Sequence, residues 1–239
     1  MISSKKSAFT PPLNTQSMKI TKYIHSCLLF EKDGFKLLFD PGKFSFAEGL
    51  VKPDTFVDIN AVIITHNHPD HLDTDNLRKI IELSQATIYT NAEVSQELEE
   101  AGLESIIVEE GEMTLGHFLL QVINVKHEPL LDSPAPDMQA YVIDRIVLHP
   151  VDSFDEKLNE YQGIPLLILP IMAPFTTELA VAGFADRIKP KEVMPVHDGY
   201  AKPFFLKQRY ENYTEHFEKN NIKFYSAGEP GDAVVISQE

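Results

Sequence analysis

From Met18 onward, apolar residues recur in short runs bounded by turn formers, and the runs at 18–23, 27–31 and 35–39 predict strands. Asp33-Gly34 is a hairpin signal between the second and third. Residues 61–64 are apolar throughout, which predicts a strand buried on both faces. Asp73 can then cap a helix with Leu77, Ile80 and Ile81 on one face, followed by a strand at 87–89. Asn91 opens a second helix through Val94 and Leu98, and Gly102 stops it.

The middle of the chain reads as strands at 105–108, 118–125, 139–143 and 145–149, with no helical period among them. Alternation then returns: strand 165–169, helix 177–188, strand 192–196, helix 203–219, and closing strands at 222–225 and 233–236. On the last helix Leu206, Tyr210, Tyr213 and Phe217 form a core stripe, which leaves His216 exposed. Strand-then-helix order in both halves implies sheets with helices outside them, an α/β (α+β) class. Residues 1–17 are rich in Ser, Thr and Pro without a period and read as an extension; 18–239 read as one domain.

Composition narrows the function. With 239 residues and 43% hydrophobic content the chain can bury a large core. No apolar run reaches the roughly 20 residues of a membrane span, and no signal-peptide core follows Lys5-Lys6, so the expected location is cytoplasmic. The single cysteine, Cys27, fits a reducing compartment and reads as a small buried hydrophobe. A net charge of −15, from 21 basic and 36 acidic residues without a basic cluster, disfavours nucleic acid as a partner.

The strand at 61–64 runs straight into "THNHPDHLD", which places His66, His68, Asp70 and His71 in a loop between a core strand and a helix. Loops at the carboxyl ends of core strands are where active sites are commonly built. Imidazole nitrogens and carboxylate oxygens are ligands for zinc, manganese and iron, and alternate loop residues can converge on a common centre.

HNHPDH matches the H-x-H-x-D-H signature, and the chain resembles the metallo-β-lactamase superfamily from about Met18 to about Glu229. The resemblance supplies the remaining positions in order: Asp40 in "LLFDPG", His127 in "INVKHEP", Asp152 in "LHPVDSF" and His197 in "VMPVHDG". Val151 and Ser153 stand where that family usually has Gly and Thr beside the bridging Asp. The stretches "IHSCLLFE", "LLILPIMAPFT" and "IKPKEVMPVHDG" are similar to the branch that includes L-ascorbate-6-phosphate lactonase.

What the resemblance implies is a four-layer αββα metallo-β-lactamase-like sandwich with two divalent ions, zinc first and manganese or iron as alternatives. His66, His68 and His127 would hold one ion, Asp70, His71 and His197 the other, and Asp152 would bridge them. A hydroxide shared by the ions would be the nucleophile, with Asp70 orienting it or carrying a proton. Asp40, His25 and His149 are expected to support ligands from behind. The implied activity is hydrolysis of a small, anionic ester, lactone or phosphodiester. An RNA-processing nuclease and a redox or non-catalytic relative are the alternatives, and a homo-oligomer is compatible with either. Loops 42–56, 128–137, 172–177 and 198–203 are expected to shape the pocket, with Phe44, Phe46, Phe175, Lys43 and Lys202 as contacts.

Overall fold

Hydrophobic patterning resolves into two seven-stranded sheets in the computed structural model, which describes residues 17–237. The first sheet takes β1 (Ser17–Lys22), β2 (Leu28–Lys32), β3 (Phe35–Phe39), β4 (Ala61–Ile64), β5 (Thr87–Thr90) and β6 (Ser105–Ile107). The second takes β7 (Gly111–Leu115), β8 (Phe118–Lys126), β9 (Asp137–Ile143), β10 (Val147–His149), β11 (Leu166–Pro170), β12 (Glu192–Val196) and β13 (Lys223–Phe224). The last strand, β14 (Ala233–Ser237), returns to the first sheet and pairs antiparallel with β1, Ser17 opposite Ser237. Strands β3 to β6 run parallel, as do β10 to β13, while the outer hairpins are antiparallel.

The inner faces meet in one core that includes Phe30, Phe39, Phe118, Tyr141 and Leu166. Helices cover the outer faces because each has an apolar stripe to bury. Leu77 and Ile80 of α2 (Thr74–Ser84) and Val94 and Leu98 of α3 (Ala92–Glu100) pack on the first sheet. Val181 and Phe184 of α4 (Glu178–Ile188) and Tyr213 and Phe217 of α5 (Pro203–Lys219) pack on the second. The arrangement is therefore the four-layer αββα sandwich. A buried ion pair pins its layers together: Lys32 of β2 donates to Asp144, beyond β9, at 2.7 Å, and Asp144 also accepts from the Leu119 amide at 2.9 Å.

Several expectations need correction. Ser17 belongs to β1 and not to an extension; residues 1–16 lie outside the described residues. Strand β7 was not expected, since an edge strand with Glu112 and Thr114 on its open face carries little apolar signal. The strand expected at 145–149 begins at Val147, because Asp144 and Arg145 turn the chain with φ of 50° and 61°. A one-turn helix, α1 (Lys43–Phe46), follows β3, and its Phe46 packs inward against Phe56.

Candidate metal centre

Ligand-type side chains gather at one edge of the sandwich because strand after strand ends there. Asp40 follows β3, His66 to His71 follow β4, His127 follows β8, Asp152 follows β10 and His197 follows β12, while the β1–β2 hairpin adds His25. His25, Asp40, Val151 and His197 all sit in the left-handed backbone region, with φ of 64°, 45°, 57° and 64°. Such strain in non-glycine residues concentrates at functional sites.

Two groups of donors face inward. His66, His68, His127 and Asp152 bring their ligand atoms within 4.8 Å of one another, and so do His25, Asp70, His71 and His197. Asp152 touches both: its Oδ2 lies 3.5 Å from His127 Nε2, 3.8 Å from His66 Nε2, 3.3 Å from His71 Nε2 and 3.2 Å from His197 Nε2.

The hydrogen bonds behind the rings decide which nitrogen is bare. His197 Nδ1 donates to the Met172 carbonyl and His127 Nδ1 to the Glu128 carbonyl, each at 2.5 Å. His71 Nδ1 donates to Asp40 Oδ2 at 2.9 Å. The Thr65 hydroxyl donates to the same carboxylate at 2.8 Å, so its oxygen is free to accept from His66 Nδ1 at 3.1 Å. In its neutral form each of these four rings has its proton at Nδ1, which leaves Nε2, pointing into the cluster, as the nitrogen a cation would take. His71 Nε2, His127 Nε2, His197 Nε2 and Asp152 Oδ1 are buried without a hydrogen-bond partner among the described residues. Unpaired buried acceptors of that kind are costly, and a cation placed among them removes the cost. The donor set therefore fits divalent metal ions.

His25 is wired the other way. Its Nδ1 accepts from the Gly199 amide at 3.1 Å, so Nε2 must carry the proton, and it donates to Asp70 Oδ2 at 3.0 Å. His25 thus orients Asp70. The close approach is why position 199 is glycine, since a Cβ there would meet His25 Cβ at 2.9 Å. Gly42 is similarly constrained: a Cβ would lie 2.1 Å from the Asp70 carbonyl oxygen, where the Lys43 amide bonds to the Pro69 carbonyl. His149, expected to support Asp152, is buried against Phe39 with neither ring nitrogen hydrogen-bonded among the described residues. After His197, Asp198 is held by buried Lys22 at 2.6 Å and by Tyr210 at 2.6 Å, which ties the His197 loop to β1 and α5.

Burial and His71 push the pKa of His66 well below the ordinary imidazole value. Burial, with His197, lowers His25 to about 4, and burial lowers His149 to about 3. His197 is raised to about 9, since Asp152 and Asp70 outweigh its burial; His71 is raised well above the ordinary value, since Asp152 and Asp40 do the same. Asp152 and Asp70 are held low against their burial by neighbouring imidazoles, His197 first in each case. Without a cation, protons occupy the places between these groups.

Over this edge lies a cavity of about 520 Å³, floored by Asp70, His127, Asp152 and His197. Each of the four expected loops contributes to it, through Phe44, Leu130, Phe175 and Tyr200. Phe46 does not reach it, and neither Lys43 nor Lys202 lines it. Thr65, Gly42 and Gly199 escaped the sequence reading, as did the carbonyls of Met172 and Glu128. The only sequence signal for them is adjacency to the motif residues, Gly42 two positions after Asp40, Gly199 two after His197 and Thr65 just before His66; a carbonyl leaves no trace in sequence.

The fold and the clustered donors define a class, and sequence comparison agrees: the sequence model described as "Beta-lactamase superfamily domain" matches residues 19–197. The chain belongs to that superfamily, and it is a metal-dependent hydrolase. It is 30% identical over 199 residues to a UPF0173 metal-dependent hydrolase of Alkaliphilus metalliredigens, covering 75% of this chain and 85% of the relative. A second UPF0173 metal-dependent hydrolase, from Chelativorans sp., is 29% identical over 204 residues, covering 76% and 86%. Among solved structures, Igni18, a metallo hydrolase of Ignicoccus hospitalis, superposes with a TM-score of 0.71 at 21% identity over 93% of this chain and all of that one. YhfI of Bacillus subtilis, a metallo-beta-lactamase fold protein, gives 0.67 at 18% identity over 92% and 99%.

Proposed function

We propose that this chain holds two divalent ions, zinc by preference, and uses them to hydrolyse a compact ester, lactone or phosphodiester. The observation that carries the reading is the position of Asp152 Oδ2, within 3.2–3.8 Å of histidines from both donor groups. His66, His68 and His127 would hold one ion and Asp70, His71 and His197 the other, with Asp152 between them. When bound, the ions lower the pKa of water from 15.7 toward about 7 and draw charge off the electrophilic oxygen.

The chain's own residues do the rest. Asp70, held low in pKa and fixed by His25, is a weak base but a well-placed acceptor, so it orients the attacking water. Asp40 fixes the proton of His71 at Nδ1, directly and, through Thr65, does the same for His66. Lactones belong in the substrate panel through the likeness to the ascorbate-phosphate lactonase branch. The unpaired, buried Cys27 suits the cytosol.

The test combines elemental analysis with turnover. Protein reconstituted with zinc, manganese or iron is expected to hold two ions per chain and to hydrolyse at least one member of an ester, lactone and phosphodiester panel. Asp152→Ala is expected to lower occupancy of one ion and remove most turnover. A stoichiometry fixed at one in excess metal overturns the two-ion reading, and absence of turnover across the panel overturns hydrolysis of these classes.

A further inference from the structure

The floor and the walls of the cavity differ in chemistry. The floor is carboxylate and imidazole. The walls are Phe44 from α1, Leu130, Pro174 and Phe175 from the loops after β8 and β11, and Tyr200 from the loop after β12. Among the described residues no lysine or arginine lines the cavity. The aromatic rings are not buried by the fold itself: Phe44 is 36% exposed and Tyr200 46%. They lie edge-on to each other, with centroids 6.1 Å apart, and Phe175 lies edge-on to His127 at 5.2 Å.

Exposed rings grouped around a reactive centre gain by covering themselves with apolar surface. A second carboxylate or phosphate seated among these rings would lose hydration and meet no lysine or arginine in the wall to replace it. We infer that the substrate carries an uncharged apolar arm, an aryl or branched acyl group, beside the bond that is cleaved, and that Phe44, Phe175, Tyr200 and Leu130 seat it. This rests on the hydrolase reading above and, in place of the further anionic group expected from sequence, puts an uncharged arm beside the reacting group. A volume of about 520 Å³ holds one such arm together with the reacting group.

Hydroxamates separate the arm from the chemistry, because each chelates a divalent ion through the same head. Acetohydroxamate, phenylacetohydroxamate and the monohydroxamate of succinate are titrated calorimetrically into the zinc-loaded protein and into the Phe44→Ala/Phe175→Ala variant. Both rings are partly exposed, so the variant is expected to fold, and a melting curve checks it. Phenylacetohydroxamate is expected to bind at least tenfold tighter than acetohydroxamate, about 1.4 kcal/mol, and the succinate compound no tighter than the methyl one. In the variant the aryl-to-methyl ratio is expected to fall toward one. Tightest binding by the succinate compound, an aryl gain below twofold, a ratio that survives both substitutions, or binding of none of the three would overturn the inference. Turnover reports separately: aryl preference without hydrolysis of any panel member counts against the hydrolase reading alone, and hydrolysis without aryl preference counts against the arm alone.

Discussion

The place of a single proton separates a candidate ligand from a supporting histidine at this site. His197 and His127 give theirs to backbone carbonyls and turn bare nitrogens inward, whereas His25 keeps its proton on the inward nitrogen because the Gly199 amide occupies the other. His25→Ala is therefore expected to retain both ions while lowering kcat about 10- to 100-fold. Metal content measured beside kcat and KM checks this, and loss of a whole ion in His25→Ala, as expected for Asp70→Ala, would make His25 a ligand. The same wiring sets a pH dependence for the metal-free protein. His25 and His149, lowered to about 4 and about 3, stay neutral when folded, so the unfolded state binds more protons below pH about 6.5 and stability falls as pH drops from there. His197, raised to about 9, acts oppositely: its contribution is complete below about 6.5 and disappears as pH rises through 9. Melting temperatures of chelated protein are expected to peak near pH 6.5 and to decline on both sides; a monotonic rise to pH 9.5 would contradict the wiring. His66, His68, Asp70 and His71 were legible in sequence as a crowd of ligand-type residues behind a core strand, whereas Asp40, His127, Asp152 and His197, scattered along the chain, were reached only through the family resemblance. The proton acceptors were not legible, since a main-chain carbonyl is the same at every residue.

At the scale of elements, β4, α2 and α3 were legible because burial imposes a period that propensity and caps support. Strand β7 and the one-turn α1 were not, the first being polar on its open face and the second too short to show a period. The turn after β10 is the instructive case. Superfamily likeness expects glycine at 151; this chain has valine there with φ of 57°, so the left-handed turn that presents Asp152 is kept by a β-branched residue. That conformation costs about 1–2 kcal/mol in an L-residue, yet Val151 is buried in the outer core beneath α4. Val151→Gly is expected to relieve the strain while losing packing, for a net change within about 1 kcal/mol, whereas Val151→Ala loses packing, keeps most of the strain and costs about 2 kcal/mol. Denaturant unfolding of the two variants decides it. Alanine proving the milder change would show that packing governs this turn and that strain does not.

Over the whole molecule, the donors are shared between the sheets: Asp70 and His71 belong to the first, and His127, Asp152 and His197 to the second. Ions held as proposed would therefore cross-link the two halves of the sandwich, alongside the Lys32–Asp144 pair. At free metal 1,000 times the dissociation constant, binding adds about 4 kcal/mol, so chelation is expected to lower Tm on the order of 10 °C for a chain of this size. Calorimetry with and without chelator measures it, and an unchanged Tm in protein that has lost its ions would mean that the sandwich holds its shape without them. The order of the donors along the chain also sets a clock. A ribosome releases His66, His68, Asp70 and His71 early; the first donor group is then completed by Asp152 after β10, and the second only by His197 after β12. The two places for an ion thus form in sequence, and a chain truncated before His197 would keep the first donor group and lack the second.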